Sequence, residues 1–214
     1  MLMEQQRQQI VAYGLRMIRS GLTTGSGGNL SLLSAEDNLI AISPSGMDYS
    51  DVTVADIVII DRAGQTVEGE RRPSSESGFH LALYAARKDI NAIVHTHSVY
   101  ATTLACLHWE LPPVHYLVAF SGDKVPLAPY ATFGSEELAD NIIASIGSYN
   151  AVLLANHGLV AVGKDIKSSF NVAEEVELVA RIYCQAKSLG QPVLVDAEEM
   201  VRVTEKFGSY GQQD

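Results

Sequence analysis

This 214-residue sequence is short of cysteine, tryptophan and basic residues, and each shortage excludes something. Its two cysteines, Cys106 and Cys184, stand in apolar or helical surroundings without CxxC spacing. They supply neither a disulfide framework nor a thiolate metal site, and both are expected to be buried, inert thiols. Fifteen Lys and Arg are set against 25 Asp and Glu, a formal charge of −10. Such an excess of carboxylates repels nucleic acid and anionic membrane surfaces, so neither is expected as a partner. A small anion held by backbone amides is not excluded by this argument. No segment approaches the ~20 apolar residues of a membrane span, and the Gln-rich opening lacks the basic-then-apolar run of a signal peptide. A cytoplasmic location is therefore expected. Phosphate-loop, dinucleotide-fingerprint and GxSxG signatures are also missing, which disfavours those routes to nucleotide binding or acyl transfer.

What is present is the composition of a folded chain, 47% hydrophobic with 17 glycines, expected to form one domain over residues 1–214. Helical spacing of Ile10, Val11, Leu15 and Ile18 predicts an opening helix over Glu4 to Ser20, stopped by Gly21. Gly25 to Asn29 is too glycine-dense for regular structure. Asn29 to Leu33 and Leu39 to Ser43 flank an acidic turn and read as a hairpin, and Ile57 to Asp61 reads as a further strand. Pro73-Ser74-Ser75-Glu76 has the composition of a helix start, a Ser cap with a carboxylate in the first turn, continuing to about Arg87. Strands are expected at Ile93 to His97, Val114 to Phe120, and Val152 to Val162, the last interrupted by Asn156-His157-Gly158. Helices are expected at Tyr100 to Leu107, Lys167 to Ser188 and Ala197 to Phe207. Strand and helix do not alternate strictly, so a single α/β domain with a mixed, mainly antiparallel sheet flanked by helices is favoured over a doubly wound parallel one.

His95-Thr96-His97 is the sharpest chemical signal. Residues two apart on a strand share a face and can converge on one ion. His157, where a glycine lets the strand bend, is a candidate third ligand. Taken alone, an HxH pair is better read as two hydrogen-bonded strand histidines; with His157 in a second, interrupted strand the two readings stand about even. Three imidazoles with a carboxylate or water in the fourth position suit Zn²⁺ and other late first-row metals. Glu76 at a helix start would have its pKa lowered by the free amides, either as ligand and base or as an ordinary first-turn acid. Ser74 and Ser75 are caps or donors to a phosphate, and the Gly25 to Asn29 loop is an anion nest or only a turn.

In this order, Gly27-Gly28-Asn29-Leu30-Ser31, Ser43-Pro44-Ser45-Gly46, Pro73 to Glu76, His95 to His97 and Asn156 to Gly158 resemble the class II aldolase/adducin family. Ala128 to Gly134 and the tail Lys206 to Gly211 extend the likeness over nearly the whole chain. The resemblance implies a three-layer fold and an aldehyde-lyase that reversibly cleaves a ketose 1-phosphate, of the L-fuculose or 5-deoxyribulose type. Its products would be dihydroxyacetone phosphate and a short aldehyde. By matched position it implies one Zn²⁺ per subunit on His95, His97, His157 and Glu76, with Glu76 also the base. It likewise implies phosphate held by Gly28, Asn29, Ser45, Gly46, Ser74 and Ser75. Tyr116 matches the acid for the aldehyde oxygen, reaching the site from a neighbouring subunit of a homotetramer, while Phe133 and Tyr210 match the aldehyde side of that interfacial pocket. Epimerases of ribulose 5-phosphate differ in having Asp where Glu76 stands and an acid that residues 111–121 lack. A methylthioribulose 1-phosphate dehydratase is disfavoured less firmly. A non-catalytic adducin-like interaction domain would be expected to have lost metal ligands that this chain keeps.

Overall fold

Alternation along the strands decides the architecture. Ile40 and Ile42 of β2 (Leu39–Ile42) face one apolar cluster while Leu39 and Ala41 face another. Val152 and Leu154 of β7 (Ala151–Leu154), and Val160 and Val162 of β8 (Gly158–Gly163), divide from their neighbours in the same way. A sheet whose two faces are both apolar must be covered twice, giving three layers. The computed structural model describes residues 1–207 and shows this arrangement.

The sheet has eight strands in the order β4-β3-β2-β1-β5-β8-β7-β6. The others are β1 (Asn29–Ser34), β3 (Val58–Ile60), β4 (Thr66–Glu68), β5 (Ala92–Thr96) and β6 (Leu127–Ala128). Every pairing is antiparallel except β6 with β7. One face packs against α1 (Glu4–Arg19), α3 (Val99–Cys106) and α5 (Ile166–Leu189), through Ile10, Leu104 and Phe170 among others, and Met200 of α6 (Ala197–Phe207) joins that core. The other face is covered by α2 (Ser77–Ala86) and α4 (Glu136–Ile146), through Phe79, Leu83, Leu138 and Ile142. Each such fully buried side chain stabilises the fold by about 1.5–3 kcal/mol before entropy is subtracted.

Four expectations are corrected. Residues 114–120 do not pair as a strand: Tyr116–Phe120 is a 3-10 turn. Pro112 and Pro113 ahead of it lack amide donors, and only Val118 of the turn is fully buried, a helical rather than alternating pattern. The segment 152–162 is a hairpin of two strands, because Asn156 in the left-handed region (φ 54°) turns the chain through 180° rather than kinking it. Glu76 is the cap position before α2 rather than a residue of its first turn. Cys106 is exposed at the solvent-side end of α3 and Cys184 half-buried on α5. Helix α4 and the short β4 and β6 had no counterpart in the sequence reading. Leu138, Ile142 and Ile146 behind the capping Ser135 carried a signal for α4.

Candidate active site

The site assembles where the start of β1, the end of β5 and the turn between β7 and β8 meet the start of α2. Asn29 of β1 stands directly opposite His95 of β5. Directly opposed residues share a face, so both side chains project toward α2. His97 follows one residue beyond the end of β5, and the turn joining β7 to β8 delivers His157. Two glycines permit this closeness. A Cβ at Gly28, whose φ is +69°, would come within 2.3 Å of the His95 carbonyl oxygen. One at Gly158 would come within 2.3 Å of the Thr96 carbonyl oxygen and 3.3 Å of the His95 ring.

The ligating atoms of His95, His97 and His157 all lie within 4.8 Å of one another. His95 Nδ1 donates to the Leu159 carbonyl at 2.9 Å, since a carbonyl can only accept. In the neutral ring that leaves Nε2 unprotonated, 3.1 Å from His97 Nε2 and 3.3 Å from Glu76 Oε2. Glu76 Oε1 lies 3.4 Å from His157 Nε2 and, among the described residues, has no hydrogen-bond donor although it is buried. Lone pairs of three imidazoles and a buried carboxylate oxygen converging on one point repel unless a cation stands among them. This donor set, three nitrogens and one oxygen with a bonded second partner on His95, fits a catalytic divalent metal.

Burial lowers the imidazoles of His97 and His157 to about 4, the neighbouring histidines adding to it against the pull of Glu76, so both are neutral at ordinary pH, the form able to bind a cation. For Glu76 burial acts upward. The His95 hydrogen bond and charge and the charge of His157, which act when those rings carry a proton in acid, outweigh it together with the Asn29 amide and hold the carboxyl at about 2. The depression expected at Glu76 is present, but its cause is these neighbours rather than the helix start.

Beside this cluster opens a cleft of about 360 Å³ lined by Gly28, Asn29, Ser45, Gly46, Ser74, Ser75 and Phe133. Its volume is that of a small-molecule site. The two serine loops are tied together: Ser45 N donates to the Arg72 carbonyl and Ser74 N to the Ser43 carbonyl, each at 3.0 Å. Behind them the buried Tyr49 hydroxyl donates to the Gly28 carbonyl at 3.2 Å and approaches Ser43 Oγ at 3.3 Å. Hydroxyls and amides on fixed loops offer neutral donors to a phosphate. The same cleft is lined by Ser26, Pro44, Tyr130 and Asn156, which were not singled out as ligands from sequence. Asn156 and Tyr130 lay inside noticed motifs, but nothing in a motif tells which member faces the cavity. Tyr116 is not in this lining; it is 48% exposed on the 3-10 turn, its ring stacked on Phe207 at 6.1 Å. Tyr210 lies outside the described residues.

Fold and site together define a lyase of the metal-dependent aldolase class, and comparison with known proteins agrees. The model of the class II aldolase and adducin N-terminal domain matches residues 8–184. The chain is 53% identical over 213 residues to a 5-deoxy-D-ribulose 1-phosphate aldolase of Bacillus thuringiensis serovar kurstaki, covering all of both chains. It is 39% identical to the L-fuculose phosphate aldolase of Escherichia coli K12, over 95% of this chain and 94% of the other. A solved L-fuculose 1-phosphate aldolase superposes with a TM-score of 0.94 at 47% identity, covering 95% of this chain and 96% of that one. The chain belongs to the class II aldolase and adducin family, and its fold is that of the family's aldolases.

Proposed function

We propose that this chain is a zinc-dependent aldolase whose preferred substrate is a 5-deoxyribulose 1-phosphate, cleaved reversibly to dihydroxyacetone phosphate and acetaldehyde. The observation that carries the substrate choice is 53% identity, without a gap in coverage at either end, to an aldolase of that ketose phosphate. The reading of L-fuculose 1-phosphate as substrate, giving L-lactaldehyde, is supported by the 39% and 47% identical relatives and stands second.

In this reading Gly28, Asn29, Ser45, Gly46, Ser74 and Ser75 bind the phosphate end of the ketose, and neutral donors suffice for that. The carbonyl and adjacent hydroxyl are thereby laid toward His95, His97 and His157, which hold the zinc with Glu76. Zinc when bound supplies Lewis-acid stabilisation of the enediolate charge. The C4 hydroxyl gives up its proton as the C3–C4 bond breaks and the bond's electron pair stays with C3. Glu76, released by the incoming substrate, takes up a proton from water and delivers it to C3, balancing the C4-hydroxyl proton that leaves to water by way of the second acid/base; in condensation it removes the C3 proton. We assign the C4-oxygen proton to Tyr116 of a neighbouring subunit in a homotetramer. Its exposure on the surface, away from its own chain's cleft, supports a role across an interface. Phe133, 66% exposed at the cleft mouth, would then meet the aldehyde's methyl group, the side of the pocket to which the family resemblance also assigns Tyr210. Among the described residues no helix is long and apolar enough to cross a membrane, in keeping with a cytoplasmic enzyme of carbohydrate metabolism.

The test is kcat/KM for the purified protein on 5-deoxyribulose, fuculose and methylthioribulose 1-phosphates, with release of dihydroxyacetone phosphate as readout. The first should be cleaved best. Preference for fuculose 1-phosphate would shift the assignment to the second reading, and absence of cleavage with all three would remove the lyase reading for a binding module.

A further inference from the structure

Behind Glu76 lies a row of buried polar side chains, of which His80, Ser31 and Tyr84 have no task in the reaction scheme and Asn29 is otherwise placed only at the phosphate. Asn29 Nδ2 donates to Glu76 Oε2 at 2.9 Å. His80 Nε2 lies 2.5 Å from Asn29 Oδ1, His80 Nδ1 is 2.7 Å from Ser31 Oγ, and Ser31 Oγ is 2.8 Å from the Tyr84 hydroxyl. His80 and Ser31 are completely buried, Tyr84 likewise, and Asn29 is 4% exposed. The row crosses from β1 to α2 and back, with Phe79 stacked on the His80 ring at 4.5 Å.

Donors and acceptors fix its polarity. A carboxylate only accepts, so Asn29 must present its NH₂ to Glu76 and its carbonyl oxygen to His80. That oxygen also only accepts, so His80 Nε2 carries the proton. Burial pushes the imidazole down to about 3, so the ring is neutral and Nδ1 bears a lone pair. Ser31 then donates to Nδ1, and Tyr84 donates to Ser31, either to its hydroxyl at 2.8 Å or to its carbonyl at 3.1 Å. Every member has one consistent role, and the side-chain amide of Asn29 interrupts any path for proton hopping. The row orients; it does not conduct.

We propose that His80 is a positioning residue for the aldol reaction, holding the Asn29 amide in the one orientation that donates to Glu76 and so aiming the carboxylate. The inference rests on Glu76 acting as the base proposed above. An unheld Asn29 could rotate its amide and turn carbonyl oxygen toward carboxylate, two acceptors face to face, which would drive Glu76 out of line. His80 touches no reacting atom. Its effect is on how often Glu76 is correctly placed, hence chiefly on kcat, since Gly28, Ser45, Gly46, Ser74 and Ser75 still hold the phosphate when the Asn29 side chain turns.

The experiment compares His80→Phe, which keeps the ring's volume without donor or acceptor, with His80→Gln, whose amide nitrogen can replace Nε2–H. His80→Phe should lower kcat about 10- to 100-fold, the range for partners behind the primary site groups, with KM little changed. His80→Gln should recover most of the loss. Ring-nitrogen NMR of histidine-labelled, metal-free protein should show His80 protonated on Nε2 alone. Active wild type with unaltered kcat in His80→Phe, or a ring protonated on Nδ1 instead, would overturn the positioning role alone. Inactive wild type would overturn the functional reading and this role with it. Should His80→Phe fail to fold, Ser31→Ala reads the same row: a several-fold loss of kcat supports it, and wild-type kcat overturns it.

Discussion

His95 donates its Nδ1 proton to the Leu159 carbonyl at 2.9 Å across the β5–β8 pairing, and this bond decides which nitrogen the cleft receives. With Nδ1 engaged, Nε2 faces Glu76 and His97 as a bare lone pair. The strand pairing thus fixes the ring in the way a second partner fixes a metal-binding imidazole, which is what the proposed zinc site requires.

Metal removal is the most direct consequence. Purified protein should carry roughly one zinc per chain. Chelation should abolish cleavage and leave circular dichroism unchanged, because the two apolar clusters do not depend on the ion. Zinc should restore activity. Metal analysis with an activity assay checks this, and loss of fold on chelation would instead mark a structural site.

Glu76→Gln should retain fold and most of the metal, since three imidazoles remain, yet lose at least about 100-fold in activity, the scale of a removed acid/base group. The discriminating measurement is isotope exchange at the hydroxymethyl carbon of dihydroxyacetone phosphate, which requires no aldehyde. Unchanged exchange would take the base role from Glu76.

Gly28→Ala places a methyl 2.3 Å from the His95 carbonyl oxygen in a left-handed backbone conformation. The clash with strand backbone has no soft direction in which to relax, so destabilisation of about 1–3 kcal/mol is expected. Because the same loop lines the cleft, KM for the phosphorylated substrate should rise as well. Urea unfolding and steady-state kinetics measure the two effects.

Asp56 accepts from the Thr53 hydroxyl at 2.6 Å and backbone amide at 3.0 Å and pairs with Arg71, contacts that lower its carboxyl from 3.8 to about 2. A depressed folded-state value means that the ionised form stabilises the fold. Its contribution is complete above the ordinary value and fades as pH falls from about 4 to about 2. Asp56→Asn should cost about 1 kcal/mol at neutral pH, the scale of a capping bond. The difference from wild type should shrink over that acid interval in melting experiments. A difference independent of pH would show that the carboxylate charge is irrelevant there.

The hairpin at β1 and β2, the opening helix and the long α5 were legible because period-2 and period-3.6 patterns survive any tertiary context. The HxH pair was legible as two residues on one face of a strand, and the loop motifs through their ordered resemblance to the family. Residues 114–120 misled because a short apolar run after two prolines fits a strand or a tight helical turn equally, and packing against α5 and α6 chose between them. No local sequence signal assigned His80 a role. Its partners Asn29 and Ser31 lie 51 and 49 residues away in sequence.

The sequence by itself determined the residue types that could bind a cation and a phosphate, and which short segments would be sheet or helix, because those properties are local. Only the tertiary structure decided that Glu76, from the head of α2, meets histidines from β5 and the β7–β8 turn, with Asn29 turned by His80. Those meetings depend on the register Asn29 opposite His95 and His95 opposite Val160. Register is set by the summed packing of both faces of the sheet, and a slip of one residue would send every one of these side chains to the other side.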